Sequence, residues 1–167
     1  MPKSYSISGV FMGTTVIPVH RTISEVQQIL IQAGAQAITT IHEKNKIAGM
    51  SFSIPCINDD LPIIRTYTLP IRTGKLLAII QGHRKRGASS KLEQDTIQAE
   101  RIAWRQILRW LEAQFALIET GMSEPGEVFL PYQTQYDGRT VYQVFQAGER
   151  KMLESGISPA EPKAKKH

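Results

Sequence analysis

The chain has 167 residues, 41% of them hydrophobic and 21% charged, with a formal net charge of +5. That length suits one domain that buries roughly 70% of the surface its unfolded chain exposes, so it needs no disulfide or structural metal to fold. The single cysteine, Cys56, excludes an intrachain disulfide, and the positive balance favours an anionic partner.

Residues 1–13 are expected to form an arm, or an edge strand around Tyr5–Phe11, with Gly9 and Gly13 in a stretch of mixed polarity. The opening Met1-Pro2-Lys3-Ser4-Tyr5-Ser6 has no apolar core of the kind a signal peptide carries. Thr14–Val19 is β-branched around Pro18, which predicts an edge strand or an extended entry. Thr22-Ile23-Ser24-Glu25 matches a capping box with Thr22 at the N-cap. Ile23, Val26, Ile29, Leu30 and Ala33 then recur at helical spacing, with Gly34 as the stop, so the first helix is expected over 23–33.

Residues 36–71 read as a three-stranded meander. Its strands are Ala37–His42, Ile47–Pro55 and Ile63–Ile71, with turns at 43–46 and 57–62. In the second strand Met50, Phe52 and Ile54 alternate with Ser51 and Ser53. In the third, Tyr67, Leu69 and Ile71 share one face, and Thr66 and Thr68 the other. One apolar face demands a helix laid across it.

Residues 72–90 read as a long connection, and connections of that length in a compact domain are usually functional or disordered. The run Leu76–Ile80 inside it is too short to span a bilayer. Ser90-Lys91-Leu92-Glu93 offers a second capping box. Ile97, Trp104, Leu108, Leu111, Phe115, Ile118 and Met122 then form one apolar stripe, which predicts a helix over 91–120 closed by Gly121. Beyond it, Val128–Tyr136 predicts a short strand and Asp137-Gly138 a tight turn. Thr140-Val141-Tyr142-Gln143 caps a short helix to about 147. Residues 155–167 form a basic tail. The expected organisation is an α+β domain over 14–154, with an antiparallel meander backed by one long and one shorter helix.

Charge is not spread evenly along this order. Between Arg72 and Leu111 there are nine Lys/Arg against three acids, a balance of +6 in a chain whose total is +5. Arg84-Lys85-Arg86 lies between Gly82 and Gly87, which lets backbone follow a phosphate chain. Arg101, Arg105 and Arg109 are spaced i, i+4, i+8, which predicts a ridge of guanidinium groups on one helical face. Three like charges repel, and an external anion relieves that repulsion. Glu100 and Glu112 are the acids in sequence reach that would instead neutralise them. Trp110 lies off the apolar stripe near the arginines, where it can stack on a base, though packing in the core or against a partner helix is the more common role; Trp104 lies on the stripe and belongs to the core.

No other pattern carries chemistry. The histidines at 20, 42, 83 and 167 have no ligand-like spacing with each other or with Cys56, so no metal is expected. Asp59-Asp60 reads as a solvated turn. There is no phosphate-cradling Gly-rich loop, no nucleophile–base pattern and no cofactor motif.

Three stretches resemble a family of small bacteriophage and prophage proteins. They are Arg21-Thr22-Ile23-Ser24-Glu25-Val26 leading to Gly34-Ala35; Gln98-Ala99-Glu100-Arg101 through Trp104-Arg105 to Glu119-Thr120-Gly121; and Glu127-Val128-Phe129-Leu130 with Asp137-Gly138-Arg139-Thr140-Val141. The resemblance spans about residues 15–155 and implies a phage setting in a bacterial cytoplasm. The segment Arg72–Ser90 has no counterpart in it. The order of helix, meander and long helix is also similar to phage single-strand annealing proteins of the Red-beta and RecT type, an analogy of architecture alone.

These readings converge on a non-catalytic, sequence-independent nucleic-acid-binding protein of phage recombination or replication, with single-stranded DNA the expected partner and strand annealing a role. Arg84, Lys85, Arg86, Arg101 and Arg105 are the expected phosphate contacts, supported by Lys75 and Lys91, with Trp110 stacking. Homo-oligomers are expected through the open sheet edge, Ile107 and Leu117. The alternative is an inhibitor or adaptor that grips an acidic host protein with the same cations.

Overall fold

The computed structural model describes residues 9–44, 46–58, 61–82 and 92–154. Among them, a three-stranded antiparallel sheet is ordered β1 (Ala37–Glu43), β2 (Lys46–Asn58), β3 (Leu61–Pro70). Five helices accompany it: α1 (Val19–Gln32), α2 (Gly74–Gly82), α3 (Leu92–Glu119), α4 (Pro125–Phe129) and α5 (Val141–Glu154), with a 3-10 turn at Leu130–Tyr132. The α+β class and the meander follow the sequence pattern.

Period-two alternation sets the register. Met50 pairs with Leu69, and Phe52 with Tyr67 and Ile38, so each apolar position meets another on the same face. On the opposite face the hydroxyls of Ser53 and Thr66 meet at 2.8 Å, and Thr68 donates to Ser51 at 3.3 Å. A slip of one residue would bring these hydroxyls inward and turn the apolar set to water.

Across the apolar face lie α1 and α3. From α1 come Ile23, Val26 and Leu30; from α3 come Trp104, Leu108, Leu111 and Phe115. Each fully buried side chain of this size contributes about 1.5–3 kcal/mol. Both helices end as their sequences dictate. Gly34 and Gly121 take left-handed backbone angles (φ +85 and +72), and the next residues, Ala35 and Met122, donate their N–H groups back to Leu30 and Leu117. Each closes a Schellman cap. Phe129, brought in by α4, centres an aromatic cluster with ring centroids 5.4–5.7 Å from Phe52, Tyr67, Trp110 and Phe115.

Several local expectations are overturned. The helix α1 begins at Val19, with Pro18 as an N-cap that makes no side-chain bond, so Thr22 is not a cap. It lies inside the helix, 0% exposed, and its hydroxyl has no partner among the described residues. Of the two readings of Thr14–Val19, it is an entry to α1 and not an edge strand; Gln98 holds it by donating to the carbonyls of Gly13 and Thr15. Residues 74–82, expected as connection, form α2, whose Ile80 packs with Ala99 and Ile102 of α3 and with Val10. Val10 and the buried Gly13 therefore belong to the folded body, although they were expected in the arm. Val128–Tyr136 is not a strand. Pro125 starts one helical turn and Pro131 stands in the next, leaving isolated bridges Tyr67–Gln133 and Thr134–Thr140. The Asp137-Gly138 turn and the Thr140–Gln143 capping box do form. The helix they open, α5, runs on to Glu154 rather than stopping near 147.

Candidate functional site

The three arginines of α3 do share a helical spacing, but their surroundings differ. Arg105 is only 5% exposed and its guanidinium donates to the carboxylate of Glu25 on α1. The same carboxylate accepts from Arg21, one turn earlier, at 3.3 Å. Arg105 is thus an internal ion-pair partner and is withdrawn as a phosphate contact. A guanidinium this deep cannot lose its carboxylate cheaply; removing one partner of a buried pair typically costs 3–5 kcal/mol. Arg109 is half exposed and forks onto both oxygens of Glu112 at 2.9 and 2.7 Å.

Arg101 stands apart. Its guanidinium reaches Gln98 Oε1 at 3.5 Å, and its Nε is buried with no partner among the described residues. No carboxylate of the described residues lies within ion-pair distance of it. Glu100, one of the acids in sequence reach, is taken by Lys46 on β2 at 2.7 Å. A half-buried cation with only a long bond to a neutral amide has unused capacity for an anion.

Elsewhere on α3, α2 packs through Ile80 against Ala99 and Ile102, with Lys75 exposed in its first turn and Arg72 exposed just before it. Neither has a carboxylate partner among the described residues. Arg84, Lys85, Arg86 and Lys91, which join α2 to α3 in the chain, lie outside the described residues.

Trp110 is half buried. Its ring stands edge-on to Phe129 and Tyr132 at 5.7 and 5.4 Å, so it packs α4 and the 3-10 turn against α3. Of its two expected roles, packing is the one these contacts fill, rather than base stacking. Ile107, expected at an oligomer surface, packs against the main core.

Sequence reasoning missed a groove of about 620 Å³ between the end of β3, the middle of α3, the 3-10 turn and the start of α5. Ile71, Ile107, Pro131, Tyr132 and Tyr142 contribute its apolar walls, with Arg72 the one charged residue of its lining. Nothing local signals it, because its walls come from four separate stretches.

A buried polar pair lies elsewhere. The Tyr67 hydroxyl meets the Cys56 thiol at 3.5 Å. Burial pushes this phenol well above its ordinary 10.0 and the thiol adds to the rise, while the Arg65 guanidinium pulls the other way. A phenol held neutral in the core is a packing group.

Among the described residues no three His, Cys, Asp or Glu gather as a metal site, and no helix is long and apolar enough to cross a membrane. Comparison with known proteins adds no relative: no family model, no curated protein and no solved structure matches the chain.

Proposed function

We propose that the protein binds nucleic acid, single-stranded DNA above all, through the α2–α3 side of its fold, as a non-catalytic component of phage recombination or replication. Arg84, Lys85, Arg86 and Lys91 bind phosphates, with Arg72, Lys75 and Arg101 extending the track. Arg105 and Trp110 are not part of it. The observation that carries the reading is Arg101: of the three α3 arginines it alone keeps a guanidinium without a carboxylate partner among the described residues. It stands nine residues, about 13 Å of helix, beyond Leu92 where the basic connection enters α3.

Phosphates supply the energy, so binding is insensitive to sequence and falls with salt. Copies bound side by side along a strand meet through exposed apolar residues such as Phe145 on α5. The test is fluorescence anisotropy with a mixed-sequence oligonucleotide over a salt series. The wild type binds at low salt, and Arg84→Ala with Arg86→Ala lowers the log–log salt slope by about 1.5. An unchanged slope removes these residues from the interface. No binding at low salt rejects the reading in favour of an adaptor for an acidic protein.

A further inference from the structure

We infer that the groove between β3, α3 and α5 receives one unstacked nucleotide of a bound single strand, an assignment that rests on the nucleic-acid reading above. Its volume, about 620 Å³, falls within the 300–1,000 Å³ range of small-molecule sites. The lining holds one cation, Arg72, and no acid. A site built that way suits an anion and repels none. Arg72 is exposed and has no carboxylate partner among the described residues, so its guanidinium is available for a phosphate at the rim.

The interior suits a base. Tyr142 presents a ring that is 43% exposed, and Pro131 and Ile107 give flat apolar surface beside it. Gln106 Nε2 donates to the Phe11 carbonyl and Gln143 Oε1 accepts the Thr140 N–H, which leaves the Gln106 amide oxygen and the Gln143 amide N–H groups to meet a base edge. Stacking on an aromatic face tolerates every base, in keeping with binding that does not read sequence.

Along the chain the groove's Arg72 leads into the proposed phosphate track. Arg72 is two residues before α2, Lys75 lies in the first turn of that helix, and the helix leads to Arg84-Lys85-Arg86. A strand whose phosphates follow those cations would reach the groove at the Arg72 end. Duplex bases are paired and stacked, so only a single strand can place a base there. The groove therefore makes the protein selective for single strands, where the basic track alone would not.

The experiment compares a single-stranded oligonucleotide with a blunt-ended duplex of equal length, by anisotropy at one salt concentration, for the wild type and four variants. Tyr142 is chosen because it is exposed and its hydroxyl only accepts from the neighbouring Gln146, so the variant keeps its fold. The wild type is expected to favour the single strand. Tyr142→Ala should weaken single-strand binding about tenfold and leave duplex binding within twofold, while Tyr142→Phe keeps both. Arg72→Ala should weaken the single strand by severalfold. The groove assignment is overturned, with the nucleic-acid reading intact, if Tyr142→Ala and Arg72→Ala change nothing while Arg84→Ala with Arg86→Ala lowers affinity. Equal wild-type affinity for strand and duplex overturns it too. Absence of any wild-type binding overturns both.

Discussion

Two positions of α3, one turn apart, treat the same residue type in opposite ways. On the α1 flank Arg105 is enclosed and spent on Glu25. Arg101, one turn earlier and nearly on the same face, has only Gln98. Both belong to one spacing pattern, and both looked like surface cations in the sequence. The difference is the neighbouring element: α1 brings a carboxylate to the seam, and the entry segment at residues 13–15 brings carbonyls that occupy the Gln98 amide instead. Helical periodicity states which side chains share a face. It does not state what that face meets.

The largest effect expected from this contrast is on stability. Glu25→Ala leaves the enclosed Arg105 without its carboxylate and should cost about 3 kcal/mol in urea unfolding. Adding Arg105→Met should recover most of that loss, since an apolar side chain of similar length asks for no partner. A loss below about 0.5 kcal/mol for Glu25→Ala would mean that the pair is not enclosed in solution.

A smaller loss, about 2 kcal/mol, is expected for Trp110→Ala, because its ring joins α4 and the 3-10 turn to α3 through Phe129 and Tyr132. Its affinity for DNA per folded molecule should stay within twofold of the wild type. A fall in affinity without a fall in stability would return Trp110 to the binding face.

The smallest effect is expected at Thr22, whose buried hydroxyl has no partner among the described residues. Thr22→Val should be neutral or stabilising by up to about 1 kcal/mol in the same urea assay. A clear destabilisation would show that the hydroxyl is bonded and that the α1–α3 seam is more polar than the geometry implies.

The legible parts of the fold are those written locally. Met50, Phe52 and Ile54 alternate with serines and so announce β2; Gly34 and Gly121 announce the ends of α1 and α3. The capping box at Thr22 misled because a second start, at Pro18, lies one turn upstream, and the buried stripe of α1 makes room for Thr22 within it. The apolar run Leu76–Ile80 hid α2, since it shows no polar face and its partners Ala99 and Ile102 lie some twenty residues on. Val128–Tyr136 had strand-like composition, yet Pro125 and Pro131 favour helical turns over a ladder that lacks their N–H groups. Of the expected site residues, the local charge run was readable but its internal cancellation was not. Glu25 is 80 positions from Arg105, and no spacing rule links them.

The account stands most directly on the salt dependence of single-strand affinity in two variants, Arg101→Met and Arg105→Met, each read by anisotropy at several salt concentrations on protein shown to be folded. Arg101→Met should lower the log–log slope by about 0.7, the loss of one phosphate contact to a single strand, while Arg105→Met leaves the slope at its wild-type value. The reverse pattern, with the slope falling for Arg105→Met and holding for Arg101→Met, contradicts the assignment of the free cation to Arg101.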